Sequence, residues 1–368
     1  MRDGTAGAIA VESVLADGIP FGSHAFIAGE VASVYTGLLG LVAEESAGAK
    51  HLLTRLDEMP GLRTGLFRDP LVRRTVEDGV CLVAEGMDTI DPVMLDDLLT
   101  AAALALDGAG ERTLLDADGR GALLGPTAEF GHVWAGDERG TLPGRRFVDE
   151  IHKRVPQFRV LAASRPQVEV LTRGARLACE IAPDLATSAL RHVFMVVLGE
   201  FDAEGHTFNS FTLPGLPGVL ILSPDVLADD AVAAEALVHE AFHLKFLDID
   251  YIRPLFAPGF RQETSPRTTP AWHEDEPGAG GWPVDRVLTS MHVYLALSVF
   301  LDAAASAGGV DRWADAATRA DRCRSRSAWL LDAVQPHLGC LTGSGRQFVE
   351  SIGSMQVESA GLTSRTTT

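Results

Sequence analysis

The sequence predicts an α-rich α+β protein in which one metal-binding helix lies beside a small sheet. Three observations predict it. Residues 231–252, AVAAEALVHEAFHLKFLDIDYI, carry His239, Glu240 and His243 at helical spacing. The run Gly218-Val219-Leu220-Ile221-Leu222 just before them reads as a short buried strand. Most other apolar residues recur every three or four positions, the period of a helix with one face in a core.

At 368 residues, with 46% hydrophobic and 22% charged residues, the chain has the composition of a soluble globular protein, with room for one large or two ordinary domains. The 31 Lys and Arg against 50 Asp and Glu leave a net charge of −19. Neutralising phosphates takes clustered Lys and Arg, so no nucleic-acid partner is expected, and a neutral or cationic one fits better. Cys81, Cys179, Cys323 and Cys340 show no CxxC spacing, which argues against a zinc ribbon or a disulfide framework and predicts the reduced thiols of a cytoplasmic protein. The N-terminal MRDGTAGAIAVESVLADGIP has no apolar stretch behind positive charge, so no secretory signal is expected. No apolar run reads as long enough to cross a membrane.

In chain order, residues 25–57 read as one helix, with Phe26, Val31, Val34, Leu38, Leu41 and Val42 on a stripe that ends at Met59-Pro60-Gly61. Asp69-Pro70 opens a second helix through Val76 to Val83, and Asp91-Pro92 a third through Leu95 and Leu99 to Leu106, each with Pro at the first helical position. These stripes are read as core packing. Residues 108–144 change character: Gly, Asp and Thr punctuate Thr113-Leu114-Leu115 and Ala122-Leu123-Leu124, predicting strands and turns. A boundary placed at the end of this segment gives a mainly helical region, 1–145, and a metal-binding catalytic region with a helical C-terminal part, 146–368.

Helices are expected over 146–155 and about 173–198, although Val193 to Leu198 reads equally as a strand. Phe208-Asn209-Ser210-Phe211-Thr212 alternates as a strand and forms a hairpin with residues 218–222. Ser223-Pro224-Asp225 then turns the chain, and Asp229 or Asp230 caps the motif helix. Residues 253–283 are too long for an ordinary connector. They hold Arg253, Arg261, Arg267, Trp272, His273 and Trp282, a set suited to covering a polar ligand. Asp285 opens a helix through Leu288, Met291, Leu295 and Phe300 that carries His292. Residues 310–352 are again helical, with Trp313, Trp329 and Leu330 as core anchors, and 354–368 read as a frayed polar tail.

HExxH puts two imidazoles one helical turn apart on one face, so both reach one divalent metal with Glu240 beside them. The bland alternative is a pair of core histidines bonded to backbone carbonyls, with Glu240 in an ion pair. Two histidines leave a metal undercoordinated, so a third ligand is required. The metzincin pattern is excluded, because Phe246 and Ile249 stand where it needs Gly and His. Glu263, Glu274 and Glu276, the candidates for a gluzincin-type ligand, all fall in the Pro- and Gly-rich loop. Asp248 and Asp250 point away from the upstream end of the helix. His292 is the first candidate and Asp285 the second, with a core histidine as the alternative for His292.

PGVLILSP followed by EALVHEAFHLKFL, then Pro270-Ala271-Trp272 and Trp282-Pro283-Val284-Asp285-Arg286 ahead of the His292 helix, resembles the HExxH-type 2-oxoglutarate-dependent peptide β-hydroxylases of bacterial peptide natural-product pathways. The resemblance covers about residues 205–305. It implies Fe(II), 2-oxoglutarate and O₂, and hydroxylation at the β-carbon of a residue in a peptide or carrier-bound substrate. It implies that His239 and His243 hold iron, that His292 completes a facial set, and that Glu240 orients a ligand or water. Arg286, then Arg253, would meet the distal carboxylate of 2-oxoglutarate through a guanidinium fork. The expected fold is a zincin-like helix beside a small sheet, not a double-stranded β-helix barrel, because barrel oxygenases present an HxD-type set from strands and a loop. The competing readings are a zinc metallopeptidase with Glu240 as general base and a non-catalytic peptide-binding module with a structural metal. Oligomeric state has no signature in the sequence.

Overall fold

Aspartate and proline set the helix starts in the first half of the chain. The Asp69 carboxylate accepts from the N–H groups of Leu71 and Val72 ahead of helix Pro70–Glu85, which ends at left-handed Gly86. Asp91 does the same for Val93 and Met94 ahead of helix Pro92–Asp107. The stretch that reads as one helix over 25–57 is two, His24–Val42 and Ala47–Glu58. Ser46 divides them: its Oγ accepts from the Ala49 N–H and donates to Asp96, so it acts as an N-cap and not as a helix interior. The structure, a computed structural model, describes residues 11–107, 115, 120–125, 128–136, 141–201, 208–273, 280–307 and 313–363. Thr113, Leu114, Glu274, Glu276 and the first ten residues lie outside these.

A mixed sheet forms from β1 (Arg120–Leu123), β2 (His132–Trp134), β3 (Phe158–Leu161), β4 (Met195–Phe201), β5 (Ser210–Thr212) and β6 (Val219–Leu222). Its order is β1-β2-β4-β6-β5, with β3 antiparallel to β4. The β2, β4 and β6 strands run parallel, and β5 returns antiparallel to β6 with Ser210 opposite Leu222, the expected hairpin. Residues 195–198 and 219–222 are buried on both faces, which is why they read as continuous apolar runs. Residues 193–198 are thus not the end of a helix. The helices Arg165–Ile181 and Pro183–Leu190 stop first, and pairing with β6 decides the ambiguity. The described residues are helix-rich, with this small sheet and no closed barrel.

By contacts the chain divides into two compact units. One compact unit is Ala25–Arg176 with Leu190–Glu240 and contains the whole six-stranded sheet; the other is Met1–His24, Leu177–Ala189 and Ala241–Thr368. In the second unit, helices Val284–Ala307, Ala316–Val334 and Gly343–Thr363 are tied by buried polar groups. Gln356 donates to Ser327 Oγ, which donates to the Met291 carbonyl, each bond 2.8 Å long. The last helix continues to Thr363, well into the segment read as a frayed tail. Trp313 and Leu330 are buried, whereas Trp329 is only half-buried. A two-stranded ribbon, β7 (Arg267–Thr268) and β8 (Trp282–Pro283), braces the long loop.

Contrary to the expectation of no apolar run of that length, His24–Val42 and Val284–Ala307 are long and apolar enough to cross a membrane. Within its apolar window the second is 72% buried inside the protein, as a core helix is.

Candidate metal centre

The motif helix is Asp230–Ile252. Of the two acids that could cap it, Asp229 does so, accepting from the N–H groups of Ala231 and Val232. Two glycines bring the chain into place. Gly218 enters β6 with φ +91°, a conformation that a side chain strains. Gly174 lets helix Arg165–Ile181 approach closely, since a Cβ there would stand 2.9 Å from that of Ala233.

His239, Glu240 and His243 form a group whose ligating atoms all lie within 4.8 Å of one another. Glu240 is only 3% exposed, and its Oε1 accepts a 2.7 Å hydrogen bond from Ser210 Oγ on β5. Its Oε2 is buried with no hydrogen-bond partner. A buried carboxylate oxygen with nothing to accept from is costly unless a cation or a donor comes to it. His239 Nε2 stands 3.7 Å from the other oxygen, Oε1, and two imidazoles with a carboxylate are the donor chemistry of a transition-metal site, so the residues fit a divalent metal.

Electrostatics point the same way. Burial lowers the His239 pKa to about 4, keeping the ring in the neutral form that ligates metal. About a third of its side-chain surface, 35%, nonetheless stays open, so the ring is hemmed in by protein but reachable. Burial raises the Glu240 carboxyl to about 7, against the lowering influence of the Ser210 hydrogen bond. A carboxyl near neutrality can hold or release a proton under ordinary conditions.

The other residues singled out from the sequence do not join this group. His292 is 2% exposed, and its ring stands edge-on to Phe242 and Phe348, 5.2 and 5.4 Å away. Phe242 lies about a quarter-turn around the helix from His243, and the His292 Nδ1 is buried with no hydrogen-bond partner. Asp285 lies in the first turn of helix Val284–Ala307; burial raises its pKa, and its Oδ1 has no hydrogen-bond partner. Arg286 is exposed and stacks on Trp282 at 4.3 Å. Arg253 follows the last turn of the motif helix. Asp250 caps the chain beyond that helix, accepting from the Leu255 N–H.

Sequence reasoning missed two residues. Ser210 had no signal beyond its place in an alternating strand. Lys245 did have one, a lone cation in an apolar helix. Its side chain is fully buried and donates to the Leu15 carbonyl and to Ser188 Oγ, at 2.7 and 2.9 Å. No protein-family model matches this chain, and neither does any curated protein.

Proposed function

We propose that the protein is an Fe(II)- and 2-oxoglutarate-dependent oxygenase that hydroxylates the β-carbon of a residue in a peptide or carrier-bound substrate of a natural-product pathway. The observation that carries this reading is the state of Glu240, buried and held by Ser210. With Oε1 held by Ser210 the carboxylate is fixed in orientation, and its unpartnered Oε2 is left to orient a neighbouring group. In this reading His239 and His243 hold the metal in a zincin-like setting, and Glu240 orients what binds beside them. The chemistry such a site supplies is oxidation of a C–H bond by O₂, coupled to conversion of 2-oxoglutarate to succinate and CO₂. Arg286, and after it Arg253, is assigned to the distal carboxylate of the 2-oxo acid. His292 stays in the proposal only as a ligand that would have to leave its apolar packing.

A peptide substrate agrees with the sheet. Among the described residues β5 pairs only with β6, and an extended chain added at its outer edge would run beside Ser210, which holds Glu240. One observation favours the zinc metallopeptidase instead: the Glu240 carboxyl sits near neutrality, where a general base works best.

The deciding experiment is oxygen-dependent formation of succinate from 2-oxoglutarate by protein loaded anaerobically with Fe(II), comparing wild type with His239→Ala. Succinate that depends on iron and on His239 supports the oxygenase. Stoichiometric zinc, no succinate, and peptide hydrolysis abolished by Glu240→Gln would establish the peptidase.

A further inference from the structure

In the second unit, three of the chain's five tryptophans gather in one cluster, Trp272, Trp282 and Trp329, joined by Tyr294. The Arg326 guanidinium lies over the rings of Trp272 and Tyr294, 5.0 and 5.4 Å from their centroids, and Arg286 lies over Trp282. Trp272, Tyr294, Trp329 and Arg326 are half-buried, and Arg286 is exposed. The cluster therefore forms a surface and not a sealed core.

Two features mark this surface as made for a partner. Acids outnumber bases 50 to 31 in this chain, yet among the described residues Arg326 forms no ion pair and donates only to the Tyr294 hydroxyl, at 3.4 Å, while Arg286 has Asp285 as a neighbouring charge without an ion-pair contact. A guanidinium has five N–H donors, so Arg326, held over aromatic faces with one nitrogen on Tyr294, has edge donors left for a carboxylate. The Trp272 indole N–H is also buried there with no acceptor. Half-buried aromatics beside arginines that form no ion pair are the composition of a binding hot spot.

We infer that this arginine–aromatic surface docks an acidic peptide segment, with a side-chain carboxylate on Arg326 and apolar side chains against Trp272 and Trp329. The inference rests on Arg326 and does not need the metal chemistry, although Arg286, assigned above to the 2-oxo acid, borders the same surface. The chain's net charge of −19 opposes an acidic partner at long range, so the attraction is local, and salt weakens it.

Intrinsic tryptophan fluorescence tests this on the full chain, because the surface holds three of its five tryptophans. The probes are a Glu- and Leu-containing peptide and its Gln counterpart. The Glu peptide is expected to shift the emission saturably and the Gln peptide not to. Arg326→Gln should weaken binding about 10-fold or more, the effect of losing a charge-assisted contact; Arg326→Lys should restore part of it, and His239→Ala should bind as wild type does. Equal binding of both peptides, or unchanged binding by a folded Arg326→Gln, overturns the inference. So does displacement of the peptide by 2-oxoglutarate alone, which would make this the cosubstrate's site. Binding that appears only when Glu274, Asp275 and Glu276 are changed to their amides would also overturn it, by showing that the chain's own acidic run is the occupant.

Discussion

Ser210 on the edge strand donates a 2.7 Å hydrogen bond to Glu240 of the HExxH helix, joining residues 30 positions apart. This bond turns one carboxylate oxygen toward the sheet and leaves the other, Oε2, buried with no hydrogen-bond partner. Replacing Ser210 with Ala would leave both oxygens unsatisfied. We expect Ser210→Ala to keep metal stoichiometry but to lower turnover about 10-fold, the scale of a lost hydrogen bond to a charged group. Metal analysis alongside initial rates checks this, and loss of metal together with activity would count against a positioning role.

Metal binding should stabilise the fold, because a ligand that binds only the native state adds to its stability. Chelation is expected to lower the melting temperature and added Fe(II) or Zn(II) to restore it. His239→Ala and His243→Ala should each abolish the metal-dependent increment. His292→Ala should lower the melting temperature by loss of core packing around Phe242 and Phe348, and a reduced metal increment beside that loss would make it the third ligand. Differential scanning calorimetry with and without metal separates the two effects.

Lys245 makes stability depend on pH. Burial lowers its pKa from 10.5 to about 7 in the folded protein, while the unfolded chain keeps the ordinary value. Between those values the unfolded state binds more protons, so stability rises with pH across this window, by up to about 1.4 kcal/mol per pH unit. Below about 7 both states are protonated, and the penalty of burying the cation is constant. Lys245→Met should flatten this slope in chemical denaturation run at several pH values across the window.

Gly218 enters β6 at φ +91°, and an added Cβ would stand 3.2 Å from that of Phe194. Gly218→Ala is therefore expected to destabilise the protein by about 1–2 kcal/mol. Denaturant titration would read the shift, and an unchanged midpoint would show that the turn relaxes.

Much of the secondary structure was legible in the sequence because its causes are local. Asp69-Pro70 and Asp91-Pro92 mark helix starts through hydrogen bonds two and three residues away. The HExxH spacing places His239 and His243 on one face through helical geometry alone. The division of residues 25–57 at Ser46 also has a local cause, the Ala49 N–H donating to Ser46 Oγ, but the continuing apolar stripe hid it, and the bond that Ser46 donates to Asp96, 50 positions away, is tertiary.

By itself, then, the sequence determined the helix-rich character, the hairpin before the motif and the pairing of two histidines with a carboxylate. These follow from period, capping and turn chemistry within a few residues. Only the tertiary structure decided that residues 195–198 pair in the sheet with 219–222, that Ser210 holds Glu240, and that the His292 ring packs against Phe242 and Phe348. Each of these depends on residues far apart in the chain. An apolar run suits a helix or a strand, and an imidazole a metal or a core, until the partner across the fold is known.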